Sequence, residues 1–168
     1  NIDETPKLDE PAIDYVQRMA LEKAQAIISK SAKKIPVLGA DTSVVCDAQI
    51  FGKPKNKQQA LEMLTALSGR SHQVLTAVAM GDIEDCSVAI SSTEVFFRKL
   101  SEQECLSYWN TGEPKGKAGG YAIQGYGAVF IELIKGSYSG VVGLPIEETS
   151  KLLQAFGVPI WGCAKIAR

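Results

Sequence analysis

Between residues 11 and 31, apolar side chains recur at Ile13, Val16, Met19, Ala20, Ala24, Ile27 and Ile28, the three-and-four spacing of one helical face. Asp9, Glu10 and Pro11 mark its start, and Lys30, Lys33 and Lys34 put positive charge where the helix carbonyls end. Residues 35–40 are nearly all apolar and predict a short buried strand that stops at Asp41. A second strand over 43–46 turns at Asp47-Ala48 into residues 49–51. Asn56 caps a second helix with Ala60, Met63, Leu64 and Leu67 on its apolar face, and Gly69 stands at its left-handed end.

Beyond Gly69, residues 72–80 and 86–98 read as the arms of a long antiparallel hairpin about the acidic turn 81–85. Ser101 and Glu104 form a capping-box pattern for a third helix, which Gly112 ends. Residues 128–134 predict another strand, and Pro145 opens a last helix carrying Ile146, Thr149, Leu152, Leu153 and Phe156, closed by Gly157. Helices alternating with single strands and hairpins predict an α/β fold on a mixed sheet. The Gly-rich stretch 111–127 is the one long irregular segment, and such loops in compact domains are usually functional.

Composition narrows the chemistry. The chain has 168 residues, of which 45% are hydrophobic and 22% charged, the size and balance of one globular domain or of two tightly fused sub-domains. Its net charge of −1 gives no general attraction to nucleic acid polymers or anionic membranes, so any affinity for phosphate is local. Cys46, Cys86, Cys105 and Cys163 are widely spaced and there is one histidine, which argues against a zinc site or disulfide framework and for reduced thiols in the cytoplasm. No apolar run is long enough for a transmembrane helix. The opening Asn1-Ile2-Asp3-Glu4 has no signal-peptide character and no initiator methionine, so Asn1 is expected not to be the start of the gene product.

A Ser-His-Asp or Cys-His constellation would need His72, which sits in a strand pattern and reads better as a structural histidine with a satisfied hydrogen bond. Gly136-Ser137-Tyr138-Ser139-Gly140 has tyrosine where a nucleophile elbow needs serine. Neither glycine-rich nucleotide fingerprint occurs. What remains is Asp41 at the end of a predicted strand, where α/β proteins place ligand-binding groups, although a turn-forming aspartate fits equally. Lys53 reads as a loop lysine. Lys23 lies beside the apolar stripe of the first helix, either snorkelling or meeting an anion. Lys117 opens a loop whose adjacent glycines let backbone approach a ligand, and Gln124 offers both a donor and an acceptor suited to a nucleobase edge.

Seven segments in order along the chain together resemble the Maf family of nucleotide pyrophosphatases. They are Ile2-Asp3-Glu4-Thr5-Pro6, Ala20-Leu21-Glu22-Lys23-Ala24, Gly39-Ala40-Asp41-Thr42, Gly52-Lys53-Pro54, Leu67-Ser68-Gly69-Arg70-Ser71-His72, residues 117–125, and Gly136-Ser137-Tyr138 with residues 141–145. The resemblance implies an elongated α/β fold with a mixed sheet, flanking helices and two lobes around a central cleft. It implies hydrolysis of a nucleoside triphosphate to a monophosphate and diphosphate with a divalent cation, Mg²⁺ or Mn²⁺. Asp41 becomes the proton acceptor that activates water, and Thr42 and Gln124 become the specificity residues, of the kind found in the dTTP/UTP branch.

The chemistry accepts that assignment, because phosphoryl transfer is mostly positioning and charge neutralisation. Lys23, Lys53 and Lys117 are expected to bind the substrate, and Glu4 to join Asp41 at the metal. The family's N-terminal strand and S-x-S-P-R-R loop do not occur in these residues, which are expected to form a single Maf-like domain without that phosphate-binding segment. The exposed strands are compatible with a homodimer. A different class of function, a nucleotide-binding regulator of septum formation with little hydrolysis, follows from the same resemblance.

Overall fold

The computed structural model describes residues 2–31 and 34–161; Lys33 and Cys163 lie outside them. The first helix, α1 (Ala12–Ile28), is followed by strands β1 (Val37–Cys46) and β2 (Gln49–Phe51), then α2 (Lys57–Leu67). Strands β3 (Ser71–Gly81) and β4 (Cys86–Phe97) lead to α3 (Glu102–Asn110), and β5 (Ile131–Lys135) to the short α4 (Tyr138–Val142) and to α5 (Ile146–Ala155). The sheet has five strands in the order β2-β1-β3-β4-β5.

Local chemistry accounts for the ends of these elements. Asp47 and Ala48 both take positive φ, 51° and 62°, the two-residue turn whose twist matches that of the flanking strands β1 and β2. The Asn56 side chain accepts from the Gln59 amide at the start of α2, and Ser101 and Glu104 complete a reciprocal capping box on α3.

A mixed sheet is the expectation from alternating helices and strands, yet every ladder among the described residues is antiparallel. The reason is topological: α2 joins β2 to β3, which run parallel to each other but have β1 between them. The parallel relation is present without a parallel hydrogen-bonded pair. β1 also runs unbroken through Asp41, which lies mid-strand and not at a strand end, because nine consecutive pairs from Val37↔Gly81 to Val45↔Gln73 hold it to β3. Residues 126–130 form a 3-10 turn, so β5 starts at Ile131.

Strand alternation divides the sheet into two faces. On one face, α1 packs Val16, Ala20 and Ala24 against Leu75, Ala77 and Ala79. Small residues bring helix and sheet close: a methyl group added at Gly39 would sit 2.4 Å from the Ala20 carbonyl oxygen and 2.7 Å from the Ala24 nitrogen. Ile13 and Ile27, expected on this apolar face, are exposed. On the other face, α2 and α3 cover Val44, Val74, Val95 and Phe97, and α5 sets Leu152 against Val78 and Met80.

β2 pairs only with residues 44–46 of β1. Among the described residues, the stretch 37–43 of β1 therefore has a strand neighbour on one side only. Asp41 and Thr42 sit on this open edge.

Candidate active site

Two adjoining hollows, about 270 Å³ and about 400 Å³, share Asp41, Thr42, Lys53 and Ala118 as their common wall. The first is completed by Lys23, Lys117, Tyr121 and Gln124, the second by Glu4, Tyr15 and Lys55. All seven residues singled out from the sequence thus face one cleft. Its polar walls come from α1, from the open edge of β1, from the loop after β2 and from the stretch 116–124.

The charged groups form a chain. Lys23 Nζ donates to Asp41 Oδ1 at 2.5 Å and lies 3.1 Å from Glu4 Oε1, while Lys53 Nζ donates to Glu4 Oε2 at 3.0 Å. The close approach of α1 at Gly39 is what lets a helix residue between Ala20 and Ala24 reach a strand carboxylate. The Tyr15 hydroxyl donates to the Glu4 carbonyl at 2.8 Å and ties the segment bearing Glu4 to α1.

Burial lifts the Asp41 carboxyl above its ordinary value, and the Lys23 ammonium beside it only partly opposes the lift. For Lys23, burial pulls downward, but Asp41 and Glu4 outweigh it and keep the ammonium protonated. Lys53 and then Lys23 hold the Glu4 carboxyl below its usual range. The pair of carboxylates is therefore asymmetric: Glu4 is a firm anion, whereas Asp41 is the more basic of the two.

Among the described residues, no group of three or more His, Cys, Asp or Glu side chains converges on one point. Glu4 and Asp41 both reach Lys23 Nζ, so a cation taking the place of that ammonium would meet two carboxylates. Mg²⁺ is commonly held by one or two carboxylates together with substrate phosphates, so this donor set fits it.

Next to Asp41 in the shared wall, Thr42 Oγ1 lies 3.0 Å from Thr76 Oγ1. Gln124 belongs to a loop pinned by one carboxylate. Glu113 accepts from the Tyr108 hydroxyl at 2.7 Å and from the Tyr126 and Gly127 amides at 2.9 Å each. Burial of Glu113 opposes its ionisation, but these donors outweigh it and lower its carboxyl. Gly125 makes this possible, since a methyl group there would lie 2.1 Å from Glu113 Oε2.

The Maf-like protein pattern matches residues 1–156. The chain belongs to the Maf family. It is 46% identical over 164 residues to a "dTTP/UTP pyrophosphatase" of Saccharophagus degradans, covering 96% of this chain and 78% of that protein. It is 49% identical over 168 residues to the protein of the same name from Pasteurella multocida, covering 95% of this chain and 84% of the relative. A third such relative, from Hahella chejuensis, is 49% identical over 163 residues.

Several residues that line or support the cleft of this Maf protein escape sequence reasoning. Tyr15 is concealed in an apolar helical stripe and Lys55 in a run of loop lysines. Thr76 sits within an apolar strand, where a lone hydroxyl is the one available signal. Glu113 opens the glycine-rich stretch, and a single acid before a loop of glycines carries no pattern of its own. His72 is the buried strand histidine expected: its Nε2 lies 2.8 Å from the Tyr121 hydroxyl, although Nδ1 has no protein partner. Ser137, in the segment that fails as a nucleophile elbow, instead caps α4 by accepting from the Gly140 amide.

Proposed function

We propose that this Maf protein is a nucleoside triphosphate pyrophosphatase that acts on dTTP and UTP, releasing the nucleoside monophosphate and diphosphate. The observation that carries the reading is one cleft whose wall brings a basic carboxylate and several lysines together with the Thr42 and Gln124 side chains. The name shared by relatives close to half identical supports the choice of substrate.

In this reading the triphosphate lies along the open edge of β1. Lys23, Lys53 and Lys117 bind its anionic oxygens, with Lys55 nearby, and neutralise charge as the bridge breaks. Asp41 accepts a proton from water. The water oxygen bonds to the α-phosphorus, the bond from that phosphorus to the bridging oxygen breaks, and the electron pair leaves with diphosphate. Burial suits Asp41 to this role, because it raises the carboxyl above its ordinary value and makes the carboxylate a better base than an exposed one. A divalent cation, Mg²⁺ or Mn²⁺, held by Glu4 and Asp41 would supply further charge neutralisation.

Thr42 and Gln124 read the base. Among the described residues no helix is long and apolar enough to cross a membrane; a cytoplasmic location, where nucleoside triphosphates are made and used, is part of the proposal. Each residue in it comes from one chain, so it holds for a monomer and for a homodimer.

The test is diphosphate release across UTP, dTTP, CTP, ATP and GTP with Mg²⁺ or Mn²⁺, detected as phosphate after coupling to inorganic pyrophosphatase. Turnover highest with UTP and dTTP is expected. Saturable nucleotide binding with no product across the panel would overturn the enzymatic reading and favour a regulator.

A further inference from the structure

Thr76 is fully buried in β3 and stands directly opposite Thr42 in the β1–β3 register. Its hydroxyl donates to the Gly140 carbonyl at 2.7 Å. A carbonyl oxygen has no proton to give, so the direction of that bond is fixed. Thr76 has one hydroxyl proton and spends it there. In the 3.0 Å contact between the two threonines, the proton must then come from Thr42. A relay results, from Thr42 to Thr76 to the Gly140 carbonyl.

The far end of this relay is held firmly. The Gly140 carbonyl also accepts from the Gly143 amide at 3.1 Å, and the Gly140 amide donates to Ser137 Oγ at 3.0 Å. Ser137 is tied in turn to β4, its amide donating to Thr93 Oγ1 at 2.9 Å. Space is tight too, as a methyl group at Gly140 would lie 2.9 Å from Ser91 Oγ. The carbonyl cannot readily turn away from Thr76.

The consequence reaches the cleft. With its only proton directed inward, Thr42 presents lone pairs alone to whatever lies against it. Gln124 cannot discriminate in this manner, because its amide offers a donor and an acceptor and can turn either way. We propose that Thr76 is a positioning residue for base selection: by fixing the Thr42 hydroxyl as an acceptor, it favours pyrimidines with a ring N–H, uracil and thymine, over cytosine. The corresponding cytosine ring nitrogen is itself an acceptor, so two lone pairs would face each other with no proton between them. This rests on the reading that Thr42 contacts the base.

The experiment uses the full chain and two substitutions at the buried position. Thr76→Ser keeps the hydroxyl; Thr76→Val keeps the shape without it. The readouts are kcat/KM for UTP and CTP, and equilibrium binding of their α,β-methylene analogues by calorimetry. Thr76→Ser is expected to retain the UTP-to-CTP preference. Thr76→Val is expected to reduce it about tenfold or more, chiefly by improving CTP, since Thr42 becomes free to direct its proton outward. If Thr42→Val alters the preference but Thr76→Val does not, the relay is overturned while base reading by Thr42 stands. If Thr76→Ser loses the preference as fully as Thr76→Val, the hydroxyl is not the cause and the proposal fails. If Thr42→Val leaves the preference unchanged, Thr42 does not read the base, and the underlying assignment fails with the inference.

Discussion

Protonating His72 should cost this fold a sizeable part of its stability. The ring is buried between Phe97 and Tyr121, and burial depresses its pKa from 6.5 to about 4. Its Nε2 is engaged with the Tyr121 hydroxyl, while Nδ1 has no protein partner, so the imidazolium would carry its charge in a buried site with the Nδ1–H unpaired. The unfolded chain takes up the proton as pH falls through 6.5, whereas the folded protein resists until pH 4. The stabilisation is therefore complete above the higher value and is lost progressively toward the lower. At about 1.4 kcal/mol per pKa unit, the loss amounts to about 3 kcal/mol. Natural domains have only about 5–15 kcal/mol in all. Urea unfolding at a series of pH values between 7 and 4 measures it, with His72→Gln as the reference that cannot titrate. The stability gap between the two proteins should shift by about 3 kcal/mol against the wild type as pH falls. Parallel stability profiles would refute the reasoning, since burial of a neutral imidazole could not then be responsible.

Other perturbations address the cleft. Asp41→Asn should abolish diphosphate release while leaving the circular dichroism spectrum and cooperative unfolding intact, because an amide cannot accept the proton. Lys23→Met should move the acidic limb of the pH-rate profile upward: without the neighbouring ammonium, burial acts on Asp41 unopposed by its main stabiliser. Gly39→Ala should cost about 1–3 kcal/mol in chemical denaturation, since the added methyl would meet α1 backbone and not a flexible side chain. Its kcat/KM should also fall, as the helix carrying Lys23 retreats from Asp41. Glu113→Ala should lower stability by about 2 kcal/mol and increase amide exchange at Tyr126 and Gly127, which lose their acceptor.

The sequence was most readable where chemistry is local. The Asn56 cap, the Ser101–Glu104 box and the β3–β4 hairpin each depend on residues a few positions apart, or on simple alternation. Asp41 reads as a strand end because aspartate is depleted in strands and favoured in turns, and only the ladder to β3 overrides that preference. The five residues of α4 are too short for periodicity, and their glycine and serine content suggests a loop. Exposure of Leu38 follows from the open edge of β1, which composition cannot reveal. The charged cluster is harder still: Glu4, Lys23, Asp41 and Lys53 come from four separate stretches that only tertiary packing joins. Family resemblance grouped these residues, whereas the direction of the Thr42 hydroxyl could come only from the donor and acceptor chemistry of the folded pair.

The uninterrupted register between β1 and β3 has a consequence for how such a protein can change over evolutionary time. A single-residue insertion or deletion within either strand would bring Thr42 opposite Leu75 or Ala77 in place of Thr76. It would also reverse the sheet face of every following side chain on that strand. Point substitutions can tune the cleft one residue at a time, but a change of length there would displace Asp41 and Thr42 at once. Length variation among descendants should therefore collect in the segments outside this ladder, such as the 82–85 turn and the connection before β1.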